Sequence, residues 1–347
     1  MGMRALVAGS AVLIIGVVAC SSAHAATASP AAPAASRPAK AATSPAATAK
    51  ASAAAATVTE GLCTAPADRR ALAAQLSADI YKGLTGRGGV HAVSVYDRVT
   101  GVSCAYNGSQ HFDSASVVKA IIMAALLRWH QQTGTPLPAW EKDEAWEMIT
   151  QSDNDAATDL WDEVGMSNLQ RFLNLAGMGE TELGRDGQWG LTQVTAPDEL
   201  LLLKLLTAPN SVLDASSRSY QLGLMSQVTS WESWGVTAGT PPGVTWHVKN
   251  GWLPDATGWH VNSIGTFSGH GKDYMIALLS DNADLDDNEQ YGITTIEDVA
   301  RLLQRDLNND SLTGSPAAAR LAAAANVGQP QVTSWAVVPA LPTPAQR

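Results

Sequence analysis

A serine and a lysine mark the junction between a polar run and a long apolar one, in the stretch DSASVVKA at residues 113–120. Residues three apart share one face of a helix, so Lys119 can reach the hydroxyl of Ser116. A serine is a weak nucleophile until a base takes its proton, and a lysine that is buried beside another cation can lose its own proton and serve as that base. The string alone is also compatible with the start of an ordinary helix.

A second polar string, Ser152-Asp153-Asn154, heads another helical segment. The hydroxyl of Ser152 could relay a proton to a leaving nitrogen, and the side chain of Asn154 could hold a substrate amide. Taken alone, the string is equally compatible with a helix N-cap.

A third string, HVKNGWLP, places Lys249 on a β-rich run, with Gly251 two residues later. A glycine in a strand permits close approach of another backbone. The edge of such a strand could also pair with an extended, peptide-like substrate through added-strand hydrogen bonds. A plain strand end is the alternative interpretation of this string.

The elements that must position these residues predict an α+β fold. Apolar spacing predicts a helix over 68–84, and two β-rich runs around a Gly-ended turn predict a hairpin over 90–107. Helices follow from Ser116 to about Leu206. Strands then return over 244–251, 260–269 and 273–281, followed by a closing helix over 295–307. This order favours an antiparallel sheet flanked by helices, with an inserted all-helical subdomain.

In this order the three strings resemble the S-x-x-K, S-D-N and K-[T/S]-G signature of class A β-lactamases and penicillin-binding proteins. Here they are Ser116-Val-Val-Lys119, Ser152-Asp153-Asn154 and Lys249-Asn250-Gly251. The similarity extends from about residue 65 to 306 and includes the phrases LQRFLNLAG and TAPDELLLLKLL. It implies a β-lactamase/transpeptidase-like fold.

The resemblance also implies a role for each motif residue. Ser116 would be the acylated nucleophile and Lys119 its proton acceptor. Ser152 would pass a proton to the departing nitrogen, with electrostatic support from Lys249. The backbone N–H groups of Ser116 and Trp252 would form the oxyanion hole. No cofactor is expected, and the substrate-binding residues would be Asn154, Asn250, Gly251 and Trp252.

The chain departs from the family on the loop after the helical block. Class A β-lactamases carry there a Glu, followed by an Asn, that positions the hydrolytic water. No Glu-x-x-x-Asn occurs in GMGETELGRDGQWGLTQVTAPDEL, residues 177–200. Gln188 lies near the expected deacylation position, and an amide cannot act as a base. Glu180, Glu182 and Asp186 could substitute, although nothing in the string favours one of them over a solvated loop residue.

The third motif departs as well, because Asn250 stands where Thr or Ser is usual. Asn can still donate a hydrogen bond to a substrate carboxylate, so specificity is affected more than acylation. Four tryptophans lie near these segments and could wall the cleft or pack in the core: Trp189, Trp246, Trp252 and Trp259.

Charge and histidine spacing argue against two classes of partner. The net charge of −10 disfavours nucleic acid, because affinity for a phosphate backbone comes largely from Lys and Arg. His247, His260 and His270 show no metal-ligand pattern with Cys or Asp, so we expect no zinc and no other metal.

The N-terminus is typical of an export signal over residues 1–25. Arg4 precedes the apolar stretch ALVAGSAVLIIGVVA, which is too short for a permanent membrane span. Two cleavage sites are compatible with it. AHA at Ala23–Ala25 fits soluble secretion, whereas VVAC resembles a lipobox in which Cys20 would be lipidated and would anchor the chain to the outer face of the cytoplasmic membrane. Either site predicts an extracellular or cell-surface protein.

The remaining chain divides by composition. Residues 26–59 are rich in Ala, Pro, Ser and Thr, which predicts a disordered tether. We expect residues 60–309 to form the hydrolase domain and residues 310–347 to form a weakly ordered tail. Apart from Cys20, the cysteines are Cys63 and Cys104, and an even pair in an exported chain predicts a disulfide.

The leading hypothesis is an exported serine hydrolase that forms an acyl-enzyme with β-lactam amides or with the D-Ala-D-Ala-like peptides that they mimic. We expect it to be a monomer. A penicillin-binding D,D-peptidase with slow deacylation explains the missing Glu more easily. A wall-associated binding protein that kept only the fold is the third hypothesis, against which the intact Ser116 and Lys119 argue.

Overall fold

A computed structural model describes residues 57–256, 258–281 and 289–313 of the chain. The predicted signal peptide, the lipidation site at Cys20, most of the tether and most of the C-terminal tail lie outside these residues. None of the helices in the described ranges is both long and apolar enough to span a bilayer.

A seven-stranded antiparallel sheet forms the centre of the fold. The strands are β1 (Thr57–Glu60), β2 (Cys63–Pro66), β3 (Val90–Asp97), β4 (Val102–Tyr106), β5 (Phe112–Asp113), β6 (Gln193–Val194), β7 (Thr245–Pro254), β8 (Trp259–Gly269) and β9 (Lys272–Asp281). The large sheet has the order β1-β2-β4-β3-β9-β8-β7, and β5 pairs with β6 in a separate two-stranded ribbon. β7 is therefore an edge strand.

The helices confirm the predicted α+β order. They are α1 (Arg70–Leu84), α2 (Val118–Thr133), α3 (Ala139–Trp146), α4 (Asn154–Ala176), α5 (Ala196–Thr207), α6 (Ala215–Met225), α7 (Gln290–Leu307) and α8 (Asp310–Thr313). The predicted first helix is α1, the hairpin is β3–β4, and the three late strands are β7, β8 and β9. The closing helix is α7, which begins five residues before the predicted boundary.

Both faces of the large sheet are buried, and β9 shows how. Side chains alternate along a strand, so Tyr274 and Ile276 join the core shared with α1 and α7, while Met275 and Ala277 join the core of the helical block. The helix α2 runs through this second core and is buried on every side over residues 118–127. A helix that is apolar all round belongs in the interior, and this places the Ser116 end of α2 beside the sheet.

The disulfide prediction is confirmed. Cys63 on β2 and Cys104 on β4 stand directly opposite each other, with their Cα atoms 4.0 Å apart, and are bonded through their sulfur atoms. Both side chains are buried. The bridge holds the N-terminal strands against the second strand of the hairpin.

The predicted domain boundaries need two small corrections. The tether was predicted to reach residue 59, but β1 begins at Thr57 and pairs with β2. The folded part was predicted to end at residue 309, but α8 follows, and the ammonium of Lys272 contacts Asp310 at 3.0 Å and Thr313 at 3.1 Å. Composition misses these residues because backbone pairing and single ion pairs leave no compositional signal.

A buried glutamate lies on α5. Glu199 is 0% exposed, and neither of its carboxylate oxygens has a hydrogen-bond partner among the described residues. Burial, with a smaller contribution from the charge of Asp198, raises the pKa of Glu199 from 4.5 to about 8. The folded protein therefore holds this carboxyl protonated at neutral pH.

We predict that Glu199→Gln stabilises the protein at alkaline pH. Since the pKa of Glu199 is higher in the folded than in the unfolded state, the contribution of this carboxyl to the free energy of unfolding is greatest below pH 4.5 and falls as the pH rises toward about 8. The loss from this group is at most about 1.4 kcal/mol per pH unit. Denaturant unfolding between about pH 5 and pH 8 should show that the free energy of unfolding of the variant rises relative to that of the wild type as the pH increases. The exposed-site control Glu163→Gln should show no such gain, and an equal pH dependence in Glu199→Gln and wild type would contradict the prediction.

Candidate active site

Ser116 lies in a single 3₁₀ turn, Ala115–Val117, that leads directly into α2. The turn is strained, because Ala115 has a φ of 47°, which a non-glycine residue rarely adopts. The side-chain amide of Asn262 on β8 donates to the carbonyls of Asp113 and Ser114 at 2.9 and 3.0 Å and so fixes the start of the turn. The sheet thus determines where the serine stands.

Lys119 is buried, and its ammonium points toward the second motif. Nζ donates to the carbonyl of Ser152 at 2.5 Å, to the hydroxyl of Ser152 at 3.3 Å and to Oδ1 of Asn154 at 2.8 Å. In the described part of the chain no hydrogen bond is formed to Oγ of Ser116. The helix therefore brings Lys119 to the site, while the hydrogen bond between the two residues that the sequence predicts is absent from this conformation.

The Ser-Asp-Asn string builds a sharp turn at the start of α4. Ser152 adopts a left-handed conformation with a φ of 59°, and the carboxylate of Asp153 caps the helix by accepting from the backbone N–H of Ala156 at 2.9 Å. Asn154 is the first residue of α4. The turn directs the hydroxyl of Ser152 toward β7.

Lys249 on β7 approaches the hydroxyl of Ser152 from the other side. Its ammonium donates to Oγ of Ser152 at 2.8 Å and to the carbonyl of Asn250 at 2.9 Å. A carboxylate oxygen of Glu232 lies 3.9 Å away. Oγ of Ser152 thus stands between two buried lysines.

The two lysines have different pKa values. Burial, helped by the positive charge of Lys249, lowers the pKa of Lys119 to about 6, while Glu232 and Asp153 oppose the shift. Burial lowers the pKa of Lys249 only to about 8, with Glu232 opposing. Near pH 7 Lys119 is mostly neutral and can accept a proton, whereas Lys249 is mostly charged and can donate one.

Glu232 belongs to the site, and the sequence did not reveal it. It lies in the 3₁₀ turn Ser230–Glu232 between α6 and β7 and is 1% exposed. Burial raises its pKa, while the charges of Lys249 and Lys119 act in the opposite direction. The only available signal was an acidic residue inside the aromatic run WESW, which has no spacing relation to the three motifs.

Gly251 allows β7 to contact the nucleophile turn. A Cβ added at this position would lie 2.4 Å from the backbone nitrogen of Ser116 and 2.8 Å from that of Val117. The close backbone approach predicted from the glycine is confirmed. It brings the edge strand β7, including Trp252, beside Ser116.

A cavity of about 340 Å³ opens in front of Ser116. Tryptophans form much of its wall, and Trp231 is 55% exposed. Trp189 and Trp252 line the cavity as well, whereas Trp246 and Trp259 pack against the core. The full lining is Ala115, Ser116, Ser152, Asn154, Trp189, Gly190, Trp231, Glu232, Trp252 and Leu253.

Comparison with solved structures identifies proteins that have a similar fold. The chain aligns with a variant of the last common ancestor of the class A β-lactamases of Gram-negative bacteria, with a TM-score of 0.57 and 22% identity, over 66% of this chain and 96% of that one. A class A β-lactamase from Bacteroides cellulosilyticus and a β-lactamase from Xanthomonas campestris both give a TM-score of 0.59, at 16% and 18% identity, over 68% of this chain and 98% and 99% of theirs. The chain has the class A β-lactamase fold.

A family model described as the β-lactamase enzyme family matches residues 141–307. The matched segment contains the Ser-Asp-Asn and Lys-Asn-Gly strings of this β-lactamase-like chain, while Ser116 and Lys119 precede it. The resemblance that the three motifs indicated is confirmed. A comparison with curated proteins gave no match.

Two predicted site residues do not occupy the positions that their predicted roles require. Asn250 is 0% exposed, and its amide donates to the carbonyls of Glu232 and Trp234 at 2.7 and 3.0 Å, so its side chain is not available to a substrate carboxylate. Gln188 is exposed and lines a separate depression on the loop together with Glu182 and Asp186. The predictions of substrate binding by Asn250 and of a deacylation position at Gln188 do not agree with this geometry.

His260 does group with aspartates, contrary to the sequence expectation. Its Nε2 lies 3.6 Å from Asp113, 3.1 Å from Asp255 and 3.3 Å from Asp281. Asp255 precedes His260 by only five residues, whereas Asp113 lies 147 residues away, so the sequence spacing does not reveal the whole group. The ligand atoms of Asp113, Asp255 and His260 lie within 4.8 Å of one another, close enough to share a cation. The absence of a metal stays a prediction.

We predict that Gly251→Ala slows acylation strongly, because the new Cβ would push β7 away from the backbone of Ser116. A displacement of about 1 Å at a reacting group can reduce the rate about 100-fold. The measurement is the rate at which a fluorescent penicillin labels Ser116. Gly223→Ala on α6 is the control, since its added Cβ meets no atom within 4 Å. Equal labelling rates for the two variants would show that the contact between β7 and the turn is unimportant.

Proposed function

We propose that the chain is a serine hydrolase that forms an acyl-enzyme on Ser116 with β-lactam amides or with D-Ala-D-Ala-like peptides. The observation that carries the proposal is the hydroxyl of Ser152, which lines the Ser116 cavity and stands between a mostly neutral lysine and a mostly charged one. A base and an acid joined by one hydroxyl are what amide cleavage requires.

Acylation can be written with these residues. Oγ of Ser116 attacks the carbonyl carbon, and its proton passes to Lys119, after Nζ has turned from its present partners toward the serine. The C–N bond breaks, and the departing nitrogen takes the proton of Ser152. Lys249 replaces that proton. The backbone N–H groups of Ser116 and Trp252 would stabilise the oxyanion.

The edge position of β7 supports a peptide-like substrate. One side of β7 pairs with β8 and the other has no strand partner in the described sheet. An extended acyl group could therefore add alongside β7 by backbone hydrogen bonds. The amide of Asn154 would hold a substrate amide from the opposite wall.

The cavity lining supports the penicillin-binding D,D-peptidase with slow deacylation as the second candidate. Among the described residues that line the cavity, Glu232 carries the one carboxylate, and both of its oxygens are buried. The loop that carries the water-activating Glu in the family contributes an indole instead, since the ring of Trp189 lies 4.9 Å from Nζ of Lys119. A peptidase that transfers its acyl group to an amine has less need of such a base.

We further propose that the protein is exported. The signal-like N-terminus and the disulfide between Cys63 and Cys104 support this, because disulfides persist in oxidising compartments. The intact mass of the mature chain distinguishes cleavage after Ala25 from lipidation at Cys20.

The rate of acylation should rise with pH through about 6, because Lys119 accepts a proton only in its neutral form. Below that pH the protonated lysine is inactive. Lys249→Met removes the like charge that helps to lower the pKa of Lys119, so the midpoint should move to higher pH. Penicillin labelling rates between about pH 4.5 and 8 test both expectations. A flat profile for the wild type would exclude Lys119 as the base.

The acyl-enzyme should accumulate. Loss of a general base costs about 10²–10⁴ in rate, so a chromogenic cephalosporin should give a burst followed by slow turnover, and mass spectrometry should find the adduct on Ser116. Ser116→Ala should abolish the burst. Gln188→Glu should leave the slow phase unchanged, because this side chain lies outside the cavity. Fast linear turnover without an adduct would mean that a working base is present, and no adduct under any condition would favour the binding-protein hypothesis.

A further inference from the structure

The loop between α6 and β7 places a carboxylate, that of Glu232, in the site, and this residue belongs to none of the three motifs. Its turn Ser230–Glu232 presents Trp231 to the cavity and buries Glu232 behind it. Both carboxylate oxygens of Glu232 lack a hydrogen-bond partner among the described residues, yet one of them lies 3.9 Å from the ammonium of Lys249. A buried carboxylate without a compensating charge is costly, and the ammonium of Lys249 supplies such a charge.

Lys249 needs a counter-ion to act as an acid. Two of its ammonium hydrogens go to Oγ of Ser152 and to the carbonyl of Asn250. Neither acceptor carries a charge, and the other nearby ionisable side chain, Lys119, is itself a base. In the described residues Glu232 is the one carboxylate within 4.0 Å of Lys249. Its negative charge therefore compensates the ammonium that stands against Ser152.

Asn250 holds Glu232 in this place. Its amide donates to the carbonyls of Glu232 and Trp234, and the adjacent Val236 N–H donates to the hydroxyl of Ser263 at 2.9 Å. Gly235 has a φ of 82° and lies so close to Ser263 that an added Cβ would be 2.3 Å from its hydroxyl oxygen. The loop is thus anchored at both the asparagine and the glycine.

We infer that Glu232 is a positioning residue that keeps the Lys249 ammonium charged and directed at Ser152, and that Asn250 replaces the usual Thr or Ser of the motif because it anchors the loop that carries Glu232. The inference rests on the proposed function. In the acylation step, Glu232 touches neither the substrate nor the reacting bond. It acts on the proton that Lys249 returns to Ser152 after Ser152 has protonated the departing nitrogen.

The role makes Glu232 important for some leaving groups and unimportant for others. An amide nitrogen must be protonated as the C–N bond breaks, whereas a nitrophenolate departs as a stable anion and needs no proton. We therefore compare a fluorescent penicillin with the p-nitrophenyl ester of phenylacetic acid, both reacting at Ser116. Glu232→Gln keeps the size of the side chain and removes its charge.

Glu232→Gln should lower the acylation rate with the penicillin about 100-fold and with the ester less than about threefold. Asn250→Thr removes the two hydrogen bonds from the Asn250 amide to the loop. It should lower the ratio of the penicillin rate to the ester rate as well, by a smaller factor. Glu163→Gln, a substitution on the exposed face of α4, is the matched control and should leave both rates unchanged. An equal loss for both substrates would indicate a merely structural role, and an unchanged penicillin rate would also overturn the inference.

A second measurement does not depend on turnover. The titration of Lys249, followed by ¹³C NMR of its ε-carbon and assigned with Lys249→Met, should move to lower pH by at least about one unit in Glu232→Gln, because loss of the neighbouring anion disfavours the ammonium. An unchanged titration overturns the inference. If neither the penicillin nor the ester modifies Ser116 in the wild type, the proposed function fails, while the titration still decides whether Glu232 is the counter-ion of Lys249.

Discussion

The burial of two lysines around one serine hydroxyl is the constraint on which the site depends. Lys119 and Lys249 are both less than 2% exposed, and both donate to Oγ of Ser152. Two buried ammonium groups repel each other and lose hydration, so the arrangement is stable only if one gives up its proton and the other has a counter-ion. The neutral state of Lys119 and the carboxylate of Glu232 meet these two conditions.

The fold is arranged to bring these groups together from four separate elements. α2 supplies Lys119, the turn before α4 supplies Ser152, the edge strand supplies Lys249, and the loop before that strand supplies Glu232. The apolar character of α2 buries its lysine, and Gly251 lets the edge strand contact the Ser116 turn. The core thus creates the low polarity that lowers the pKa of both lysines, and the charges of Lys249 and Glu232 separate the two values.

Much of this could be predicted from the sequence wherever the signal is local. Strand alternation, helix spacing and the glycine of the third motif fixed the α+β order, the hairpin and the approach of β7 to Ser116. The predictions for Asn250 and His260 failed because they depend on contacts between residues that are distant in the chain. Asn250 reaches back 18 residues to the carbonyl of Glu232, and His260 meets Asp113 across 147 positions, so no spacing rule could place them. The prediction for Gln188 failed because the loop presents Trp189, and not Gln188, to the cavity.

The chain departs from the signature that it resembles in two places, the loop without a water-activating Glu and Asn250 in place of Thr or Ser, and the two departures have a common consequence. On one side of the cavity the loop offers an indole where a water-activating carboxylate would be needed, and on the other side Asn250 anchors a carboxylate beneath Lys249. In the proposed reaction the negative charge of Glu232 would therefore support protonation of a leaving nitrogen rather than activation of water. Such a distribution favours bond breaking in the first half of the reaction over hydrolysis in the second. For the proposed reaction, the placement of this charge would therefore lengthen the lifetime of an acyl-enzyme on Ser116, while Ser116 and Lys119 would keep the roles that the three motifs predict for them.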